Sequence, residues 1–519
     1  MGVSVAHLDA VIVGGGHNGL TAAAYLARAG LRVQLLERLP GVGGAAVSAQ
    51  PFAGVDVHLS RYAYLVSLLP PSILTDLGAR VALAPRRWSS YTPDPAAGGR
   101  TGLLIGSPPR DPALADFYRR CRLVTARLWP TLTEPLLTRA QIRRMVVRDG
   151  PEAAHAWASL VEEPIGSIIA DSFGSDLVRG VVATDALIGT FAALDEPSLQ
   201  QNRCFVYHLL GGGTGDWQVP VGGMGAVTGA LTAAARRHGA EILTGADVCG
   251  IDPDGWVRYR RGGDERAVRG RFVLAGVTPT VLARLLSEPA PAATQGAQVK
   301  INMVLRRLPR LRDPAVSAEQ AFSGTFHVNE TWRQLHDAHA AATAGRLPAP
   351  LPCEMYCHSL TDPSIVSPAL RAAGTHTLTV FSLHTPHALI AGSDPDAARD
   401  RLSRAVLSSI DSVLAEPIRE LILVDGEGRP CIETTTTSDL QHTLGMTAGN
   451  IFHGGLDWPF AADDDLADPL DTPARRRGVA TAHDRIVLCG SGARRGGAVS
   501  GIGGHNAAMA VLASLAGRS

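Results

Sequence analysis

A glycine-rich turn between an apolar segment and an alanine-rich segment places the strongest constraint on the fold of this chain. Residues 10–13 are apolar and predict a buried strand, and residues 20–29 predict a helix. In the turn between them, Gly14 permits the tight reversal, Gly16 lets the backbone approach a pyrophosphate, and Gly19 lets the helix pack on the strand. The helix would meet the pyrophosphate with free N–H groups and its positive end. Strand, turn and helix together predict a dinucleotide-binding α/β unit.

The residues that follow this unit extend the nucleotide-binding pattern. Residues 31–36 predict a second strand, which ends at Glu37. A carboxylate about 20 residues beyond the glycine turn accepts hydrogen bonds from the ribose of a dinucleotide. A G-x-G-x-x-G turn alone would be weak evidence, whereas strand, helix and acid in register are specific.

The segment after the second strand indicates which dinucleotide is bound. Glu37 and Arg38 are followed by Gly43, Gly44 and Ala45. This spacing resembles the extended Glu-Arg…Gly-Gly signature of FAD-binding amine oxidases and phytoene desaturases. Dehydrogenases that use only nicotinamide cofactors usually lack the second glycine pair. The resemblance implies that the cofactor is FAD.

Later segments return the chain to the predicted nucleotide domain. Residues 219–238 predict a glycine-opened helix, residues 239–248 a strand, residues 271–276 the end of a hairpin, and residues 485–508 a last strand, a loop and the terminal helix. In the resembling proteins, the backbone of the strand that holds the equivalent of Val248 touches the adenine. The N-terminus of the terminal helix would stabilise negative charge on a reduced flavin. The resemblance implies that FAD is bound by Gly14, Gly16, Asn18, Gly19, Glu37, Arg38, Gly43, Gly44, Ala45, Val248, Gly276, Gly490, Ser491, Gly501 and Ile502.

Together these segments resemble the phytoene-desaturase-like FAD-dependent oxidoreductases, in the branch of pyridine nucleotide-disulphide oxidoreductase domain-containing protein 2. Residues 62–70 and 449–456 also look like that branch. The resemblance implies an α/β fold, in which a Rossmann-like FAD-binding domain of the two-dinucleotide-binding-motif type carries an inserted α+β substrate domain. We expect a discontinuous FAD-binding domain and a substrate or cap domain. The first would comprise residues 1–75, 206–290 and 441–519, and the second residues 76–205 and 291–440.

The candidate catalytic residues have side chains that suit proton transfer or charge stabilisation. His58 and Arg61 belong to a segment that runs beneath the flavin ring in the resembling family. His384 is one of several histidines in the middle of the chain, and imidazole titrates near neutral pH. The remaining candidates are His327, His358, His387, Tyr207, His208, Trp217 and Glu433.

The resemblance implies an oxidoreductase, a desaturase, dehydrogenase or oxidase, that takes a hydride from a hydrophobic or alicyclic substrate and forms a C=C or C=N bond. No Cys-x-x-Cys pair and no second G-x-G-x-x-G turn is present, so we expect electrons to leave to oxygen or a quinone. Two alternatives stay open. One is a redox-neutral isomerase that uses reduced flavin. The other is a non-catalytic, lipid-binding escort protein of related fold.

Composition excludes several classes of function. Acidic and basic residues number 48 each, so no broad basic surface is expected for nucleic acid or an anionic membrane. The 7 cysteines are scattered, which is typical of a reduced intracellular protein. Cys353 and Cys357 lack a second pair of ligands, so we expect buried thiols and no metal site. No leader or membrane-spanning segment is evident, so we expect a cytoplasmic protein, with peripheral membrane contact and oligomeric state left open.

One segment departs from the pattern of the family. Arg494 and Arg495 stand where the resembling proteins typically have a proline before the glycines. Two interpretations follow from the sequence: the arginines meet an anionic substrate, or they are solvated.

Overall fold

The strands of the fold form two large sheets and two short ribbons in the computed structural model, which describes residues 7–213, 215–463 and 470–517. In chain order the strands are β1 (His7–Val13), β2 (Val33–Glu37), β3 (Ser48–Ala49), β4 (Leu59–Ser60), β5 (Leu83–Ala84), β6 (Trp88–Pro93), β7 (Gly102–Gly106), β8 (Val219–Pro220), β9 (Glu241–Thr244), β10 (Asp247–Ile251), β11 (Trp256–Arg261), β12 (Asp264–Ala275), β13 (Lys300–Leu305), β14 (Thr325–Val328), β15 (Cys353–Tyr356), β16 (His376–Ser382), β17 (Ile432–Thr435) and β18 (Ile486–Leu488).

The helices cover the first sheet and fill the region between residues 112 and 210. In chain order the α-helices are α1 (His17–Arg28), α2 (Pro71–Leu77), α3 (Pro112–Leu128), α4 (Arg139–Val147), α5 (Pro151–Trp157), α6 (Ile165–Ser172), α7 (Asp176–Ala183), α8 (Gln200–Leu210), α9 (Met224–Arg237), α10 (Pro279–Leu286), α11 (Ala318–Phe322), α12 (Trp332–Thr343), α13 (His358–Thr361), α14 (Pro368–Ala372), α15 (Pro395–Asp411), α16 (Thr437–Leu444), α17 (Pro473–Arg477) and α18 (Ile502–Ala516). No described helix is both long and apolar enough to cross a bilayer.

The first sheet is a parallel sheet with an antiparallel extension. β1 lies between β12 and β2, β9 pairs with β2, and the end of β12 pairs with β18, all in parallel. The start of β12 pairs with β11 in antiparallel, and β11 continues to β10. Parallel neighbours must be joined by long crossover connections. The strands of this sheet are therefore far apart in the sequence.

Both faces of the first sheet are buried, and β1 shows why its sequence is continuously apolar. Ala10 and Ile12 point into the core that α1, α9 and α18 share. Val11 and Val13 point into a smaller core on the other face, where β10, β11 and α10 pack. A strand buried on both faces needs apolar residues at every position, rather than at alternate ones.

The second sheet has the strand order β17-β13-β16-β15-β14-β6-β7. β14 and β6 are parallel neighbours and the other pairs are antiparallel. Side chains of β13, β14, β15 and β16 pack with α15 in a separate core. The sheet therefore has one face in its own core, while residues of the other face reach a cavity described below.

Most predicted elements are present, with shifted ends. The predicted helix over residues 20–29 is α1, which begins at His17 and ends at Arg28. In α3, the Asp111 side chain accepts a hydrogen bond from the N–H of Leu114 and so caps the start of the helix. Pro130 cannot donate a helical hydrogen bond, and a short 3-10 turn follows the end of α3 at Leu128.

Strands of the first sheet come from residues 7–37, 241–275 and 486–488, and those of the second from residues 88–106 and 300–435. The predicted boundary between residues 205 and 206 falls inside α8, where a continuous hydrogen-bonded helix leaves no break. The division into domains stays a prediction.

Candidate functional site

A cavity of about 1340 Å³ runs from the carboxyl edge of the first sheet to the second sheet. We call it the central cavity. Sites for a single drug-sized ligand measure about 300–1,000 Å³. The central cavity therefore has room for a large cofactor and a second molecule. Its end at the first sheet is called the nucleotide end, and its end at the second sheet the far end.

Three glycines form the floor of the nucleotide end. β1, β12 and β18 are followed by Gly14, Gly276 and, after one further residue, Gly490. The N–H of Gly276 donates to the carbonyl of Val13 at 2.7 Å. A Cβ at Gly490 would lie 3.0 Å from the carbonyl carbon of Gly276, and Gly14 has a φ of +102°. Side chains would force these strand ends apart, so the glycines allow the sheet edge to approach a ligand closely.

The start of α1 forms the adjoining wall. A Cβ at Gly16 would meet no atom within 4 Å, whereas a Cβ at Gly19 would lie 2.1 Å from the carbonyl oxygen of Gly14. His17 Nε2 and Asn18 Nδ2 are buried beside the turn and have no hydrogen-bond partner among the described residues. Glu37 Oε2 accepts a hydrogen bond from the N–H of Gly15 at 2.7 Å. An open glycine, unused side-chain nitrogens and a helix N-terminus fit a bound pyrophosphate.

Most residues predicted to bind the cofactor line the central cavity. These are Gly14, Gly16, Asn18, Gly19, Glu37, Arg38, Gly44, Ala45, Val248, Gly276, Gly490 and Ser491.

The other three predicted cofactor residues, Gly43, Gly501 and Ile502, are not part of the described cavity wall. The N–H of Gly43 donates to the carbonyl of Gly15 at 2.8 Å and holds the second glycine pair against the turn. A Cβ at Gly501 would meet the Thr21 hydroxyl, and Ile502 is 1 % exposed. These three residues therefore support the wall from behind rather than reach into the cavity.

Lys300 is the single lysine of the chain and lines the far end. It begins β13, and its Nζ donates to the carbonyls of Ser60 and Tyr62, each at 2.7 Å. The Nζ also lies 4.9 Å from the centre of the Tyr64 ring. Burial lowers the pKa of Lys300 well below its ordinary value, and the charge of Glu433 opposes this only in part. The two hydrogen bonds hold the Nζ in a fixed position at the cavity wall.

A second polar group at the far end consists of His327, Glu330 and Glu354, which we call the His327 cluster. His327 Nδ1 lies 2.5 Å from Glu330 Oε2 and 3.9 Å from Glu354 Oε1. The Tyr356 hydroxyl donates to Glu354 Oε2. Burial, reinforced by Glu330, raises the pKa of Glu354 to about 8, and burial raises the pKa of Glu330 well above its ordinary value. His327, Glu354 and Tyr356 line the central cavity.

The predicted catalytic role of His58, Arg61 and His384 is not supported by their positions, because none of them is part of the described cavity wall. The His58 side chain is 53 % exposed and lies 3.8 Å from Asp56. Arg61 donates to the Glu433 carboxylate at 2.7 Å, and the two side chains form an ion pair. His384 is buried beside the rings of Phe191 and His339, away from the cavity. These three candidates are corrected to surface, ion-pair and packing residues.

The remaining sequence candidates divide in the same way. His327, His208, Tyr207 and Trp217 line the central cavity, and His358, His387 and Glu433 are not part of its described wall. Cys353 and Cys357 are buried free thiols, as expected.

We expect His58→Ala to change the free energy of unfolding by less than about 0.5 kcal/mol, because exposed ion pairs contribute little. Chemical denaturation and cofactor content would measure the effect. A loss of bound cofactor in this variant would restore His58 to the active-site wall.

Sequence reasoning missed Lys300, Glu354 and Tyr356. A signal was present, because Lys300 and Glu354 are charged residues within strand segments that are otherwise almost entirely apolar. Charged residues are rarely buried without a partner or a function.

The two arginines that depart from the family pattern are structural. The Arg495 guanidinium is 1 % exposed and donates to the carbonyls of Thr131 and Glu134 and to that of Arg477. Arg494 donates to the carbonyl of Phe460 at 2.8 Å. Arg495 is therefore neither solvated nor in the central cavity wall, and its guanidinium binds three carbonyls from two separate backbone segments.

Comparison with known proteins places this architecture in a family. A family model described as an NAD(P)-binding Rossmann-like domain matches residues 12–72. The uncharacterized protein Rv0897c of Mycobacterium tuberculosis is 66% identical over 528 residues, with 98% of each chain covered. Pyridine nucleotide-disulfide oxidoreductase domain-containing protein 2 of Rattus norvegicus is 29% identical and covers 98% of this chain and 94% of its own.

A solved structure shows the same fold. Cyclohexylamine oxidase from Brevibacterium oxydans has a TM-score of 0.57 at 16% identity, over 98% of this chain and 99% of its own. These findings confirm the Rossmann-like α/β fold that the sequence predicts. The chain belongs to the same family as the uncharacterized protein Rv0897c, and it is similar over nearly its whole length to pyridine nucleotide-disulfide oxidoreductase domain-containing protein 2.

Proposed function

We propose that this protein is an FAD-dependent oxidoreductase that takes a hydride from a hydrophobic or alicyclic substrate and leaves a C=C or C=N bond. The observation that carries the proposal is the continuity of the central cavity, which joins the nucleotide end to the far end. Bound FAD would supply the hydride acceptor, and the protein would position and desolvate the substrate beside it.

The second glycine pair favours FAD as the cofactor. Gly16 and Gly43 form a bridge between the glycine turn and the loop that follows β2. A Cβ at Gly44 would lie 3.1 Å from the Cα of Gly16. This close packing brings Gly44 and Ala45 into the cavity wall beside the turn. The extended Glu-Arg…Gly-Gly loop thus becomes part of the nucleotide end, in keeping with the family resemblance.

The far end favours an apolar substrate. Its wall includes rings and branched aliphatic side chains, which exclude water and stack on flat or alicyclic molecules. These residues are Tyr64, Val181, Ile188, Trp217, Tyr356, Phe381 and Ile451. A structural neighbour, cyclohexylamine oxidase, has a name that denotes an alicyclic amine. That name supports including C=N formation among the reactions to be tested.

Lys300 is the proposed proton acceptor. Loss of a hydride from a C–H bond leaves a cation that must lose a proton to form a neutral C=C or C=N product. The buried Lys300 amine has a lowered pKa and reaches the cavity wall. Its hydrogen bonds to the carbonyls of Ser60 and Tyr62 fix the position of the Nζ.

The visible spectrum of the purified protein tests the proposal. We expect flavin bands at roughly 370 and 450 nm and release of FAD on denaturation. Alicyclic amines, ketones and hydrocarbons are then screened for bleaching without air, and oxygen and a quinone are compared as electron acceptors. Absence of flavin after reconstitution with FAD would favour a binding protein. Turnover only after reduction of the flavin, without net oxidation, would indicate an isomerase.

We expect Lys300→Met to slow flavin reduction by a bleaching substrate about 100-fold, because the variant lacks a proton acceptor at this position. Methionine has a similar length and is apolar, so bound FAD should be retained. Rapid-mixing absorbance at a series of pH values would measure the effect. An unchanged rate and pH profile would exclude Lys300 as the base.

A further inference from the structure

The His327 cluster is assembled by strand pairing and by one unusual backbone conformation. His327 on β14 stands directly opposite Glu354 on β15, so both side chains point to the same face of the sheet. Asn329 then has a φ of +56°, a left-handed conformation that is uncommon outside glycine. This turn brings Glu330 back towards His327, where Nδ1 and Oε2 are 2.5 Å apart. Conformations of this kind concentrate at functional sites.

Neighbouring elements hold this turn in place. A Cβ at Gly180 of α7 would lie 1.9 Å from the carbonyl oxygen of Glu330, so the helix packs directly on the backbone of the cluster. The Asn329 amide donates to the Ser409 hydroxyl of α15 at 2.8 Å. Contacts on both sides therefore hold the backbone of Asn329 and Glu330 in place.

The cluster is rich in acceptor atoms and poor in positive charge. Glu330 is 0 % exposed and Glu354 is 2 % exposed. Glu330 Oε1 has no hydrogen-bond partner among the described residues. Among the residues that the structure describes, no lysine or arginine forms an ion pair with Glu330 or Glu354. Arg86 attracts Glu354 only from a longer distance. Buried carboxylates are normally paired with a cation or coordinate a metal.

We propose that the His327 cluster binds one divalent transition-metal ion through His327 Nδ1 and carboxylate oxygens of Glu330 and Glu354. The three candidate ligand atoms lie within 4.8 Å of one another. Ligand atoms bound at about 2.0–2.2 Å are separated by about 3.0–3.5 Å. The 2.5 Å and 3.9 Å separations of His327 Nδ1 from the two carboxylates bracket this range, so small side-chain adjustments would bring the ligand atoms around an ion. One imidazole and two carboxylates suit zinc, manganese or iron(II).

The surroundings match a metal site that opens to a ligand. The Tyr356 hydroxyl donates to Glu354 Oε2 and so orients the carboxylate, as outer-sphere hydrogen bonds do in metal sites. His327 and Glu354 line the central cavity while Glu330 lies behind them. A bound ion would therefore present its remaining coordination positions to the far end, where water or an oxygen or nitrogen of a substrate would bind.

The sequence expectation of no metal site rested on the cysteines and did not consider this cluster. His327 and Glu330 are close in sequence, but Glu354 reaches them only through the pairing of β14 with β15. The metal proposal is independent of the proposed FAD chemistry, because the nucleotide end and the His327 cluster use different residues of the cavity.

The test is direct metal analysis of the purified full-length protein. The protein is treated with a chelator, dialysed, and titrated separately with Zn²⁺, Mn²⁺ and Co²⁺, and bound metal is quantified by plasma mass spectrometry. We expect one ion per chain for at least one of these metals, and the visible bands of ligated Co²⁺. Glu330→Gln and His327→Gln should each lower metal affinity at least tenfold. Glu433→Gln, which removes a carboxylate paired with Arg61, should retain the metal.

Folding is checked by circular dichroism, and wild-type stoichiometry decides the question if a cluster variant is unfolded. Metal that raises the melting temperature of the wild type should leave that of a folded His327→Gln variant unchanged. Less than about 0.1 equivalent of each metal on the wild type would overturn the proposal, as would equal binding by folded cluster variants. The flavin spectrum of the same samples reports separately on the FAD proposal, so the two can fail independently.

Discussion

Gly16→Val is expected to abolish FAD binding while the protein stays folded. Gly16 has a φ of −69° and a ψ of 174°, which valine adopts without strain, and a Cβ there meets no atom within 4 Å. The space in front of Gly16 is the part of the nucleotide end where the backbone would approach the pyrophosphate of the proposed FAD. A branched side chain would fill it, so we expect the dissociation constant for FAD to rise at least about 1,000-fold, or about 4 kcal/mol.

Flavin fluorescence titration of the apoprotein, together with the melting temperature of that apoprotein, would measure this effect. Gly41→Ala is the matched control, because a Cβ at Gly41 also meets open space but the residue is not in the described cavity wall. Gly19→Val provides the opposite contrast, because its Cβ would collide with the carbonyl oxygen of Gly14 and should lower stability as well. Normal FAD affinity in Gly16→Val would place the pyrophosphate elsewhere.

The nucleotide end could be predicted because its information is local. Gly14, Gly16 and Gly19 lie within six residues: Gly14 has a positive φ, a Cβ at Gly19 would collide with the carbonyl oxygen of Gly14, and Gly16 leaves open space for a ligand. The buried strand β1 and the helix α1 flank them directly in the sequence. Backbone geometry of this kind depends on few neighbours, so a short motif is sufficient to specify it.

The far end could not be predicted because its residues meet through long-range pairing. Lys300 reaches the carbonyls of Ser60 and Tyr62 across more than 200 positions of the sequence. Glu354 meets His327 only in the particular register of β14 and β15. A slip of one residue in a strand would turn either side chain to the opposite face. Residue type alone could not choose among the histidines, and His58 and His384, which the sequence favoured, lie outside the described cavity wall.

The buried hydrogen bonds of Arg495 predict a second large effect, on the stability of the protein. We expect Arg495→Ala to lower the free energy of unfolding by about 4 kcal/mol, because it empties a buried volume and removes donors from buried carbonyls. The guanidinium joins Thr131, Glu134 and Arg477, which lie in two distant parts of the chain. Burial lowers the pKa of Arg495 to about 10, so the group is still charged at neutral pH and its hydrogen bonds are charge-assisted.

A glycine variant separates the lost hydrogen bonds from backbone strain. Arg495 has a φ of +70°, so Arg495→Gly loses the same donors but relieves a left-handed conformation that alanine retains. We expect it to be about 1 kcal/mol more stable than Arg495→Ala in denaturant unfolding. Arg371→Ala, at an exposed position of α14, should change stability by less than about 0.5 kcal/mol. If Arg495→Ala unfolds like the wild type but binds an anionic substrate more weakly, the arginine belongs to the substrate site, and its contacts with the three carbonyls are not what fixes the fold.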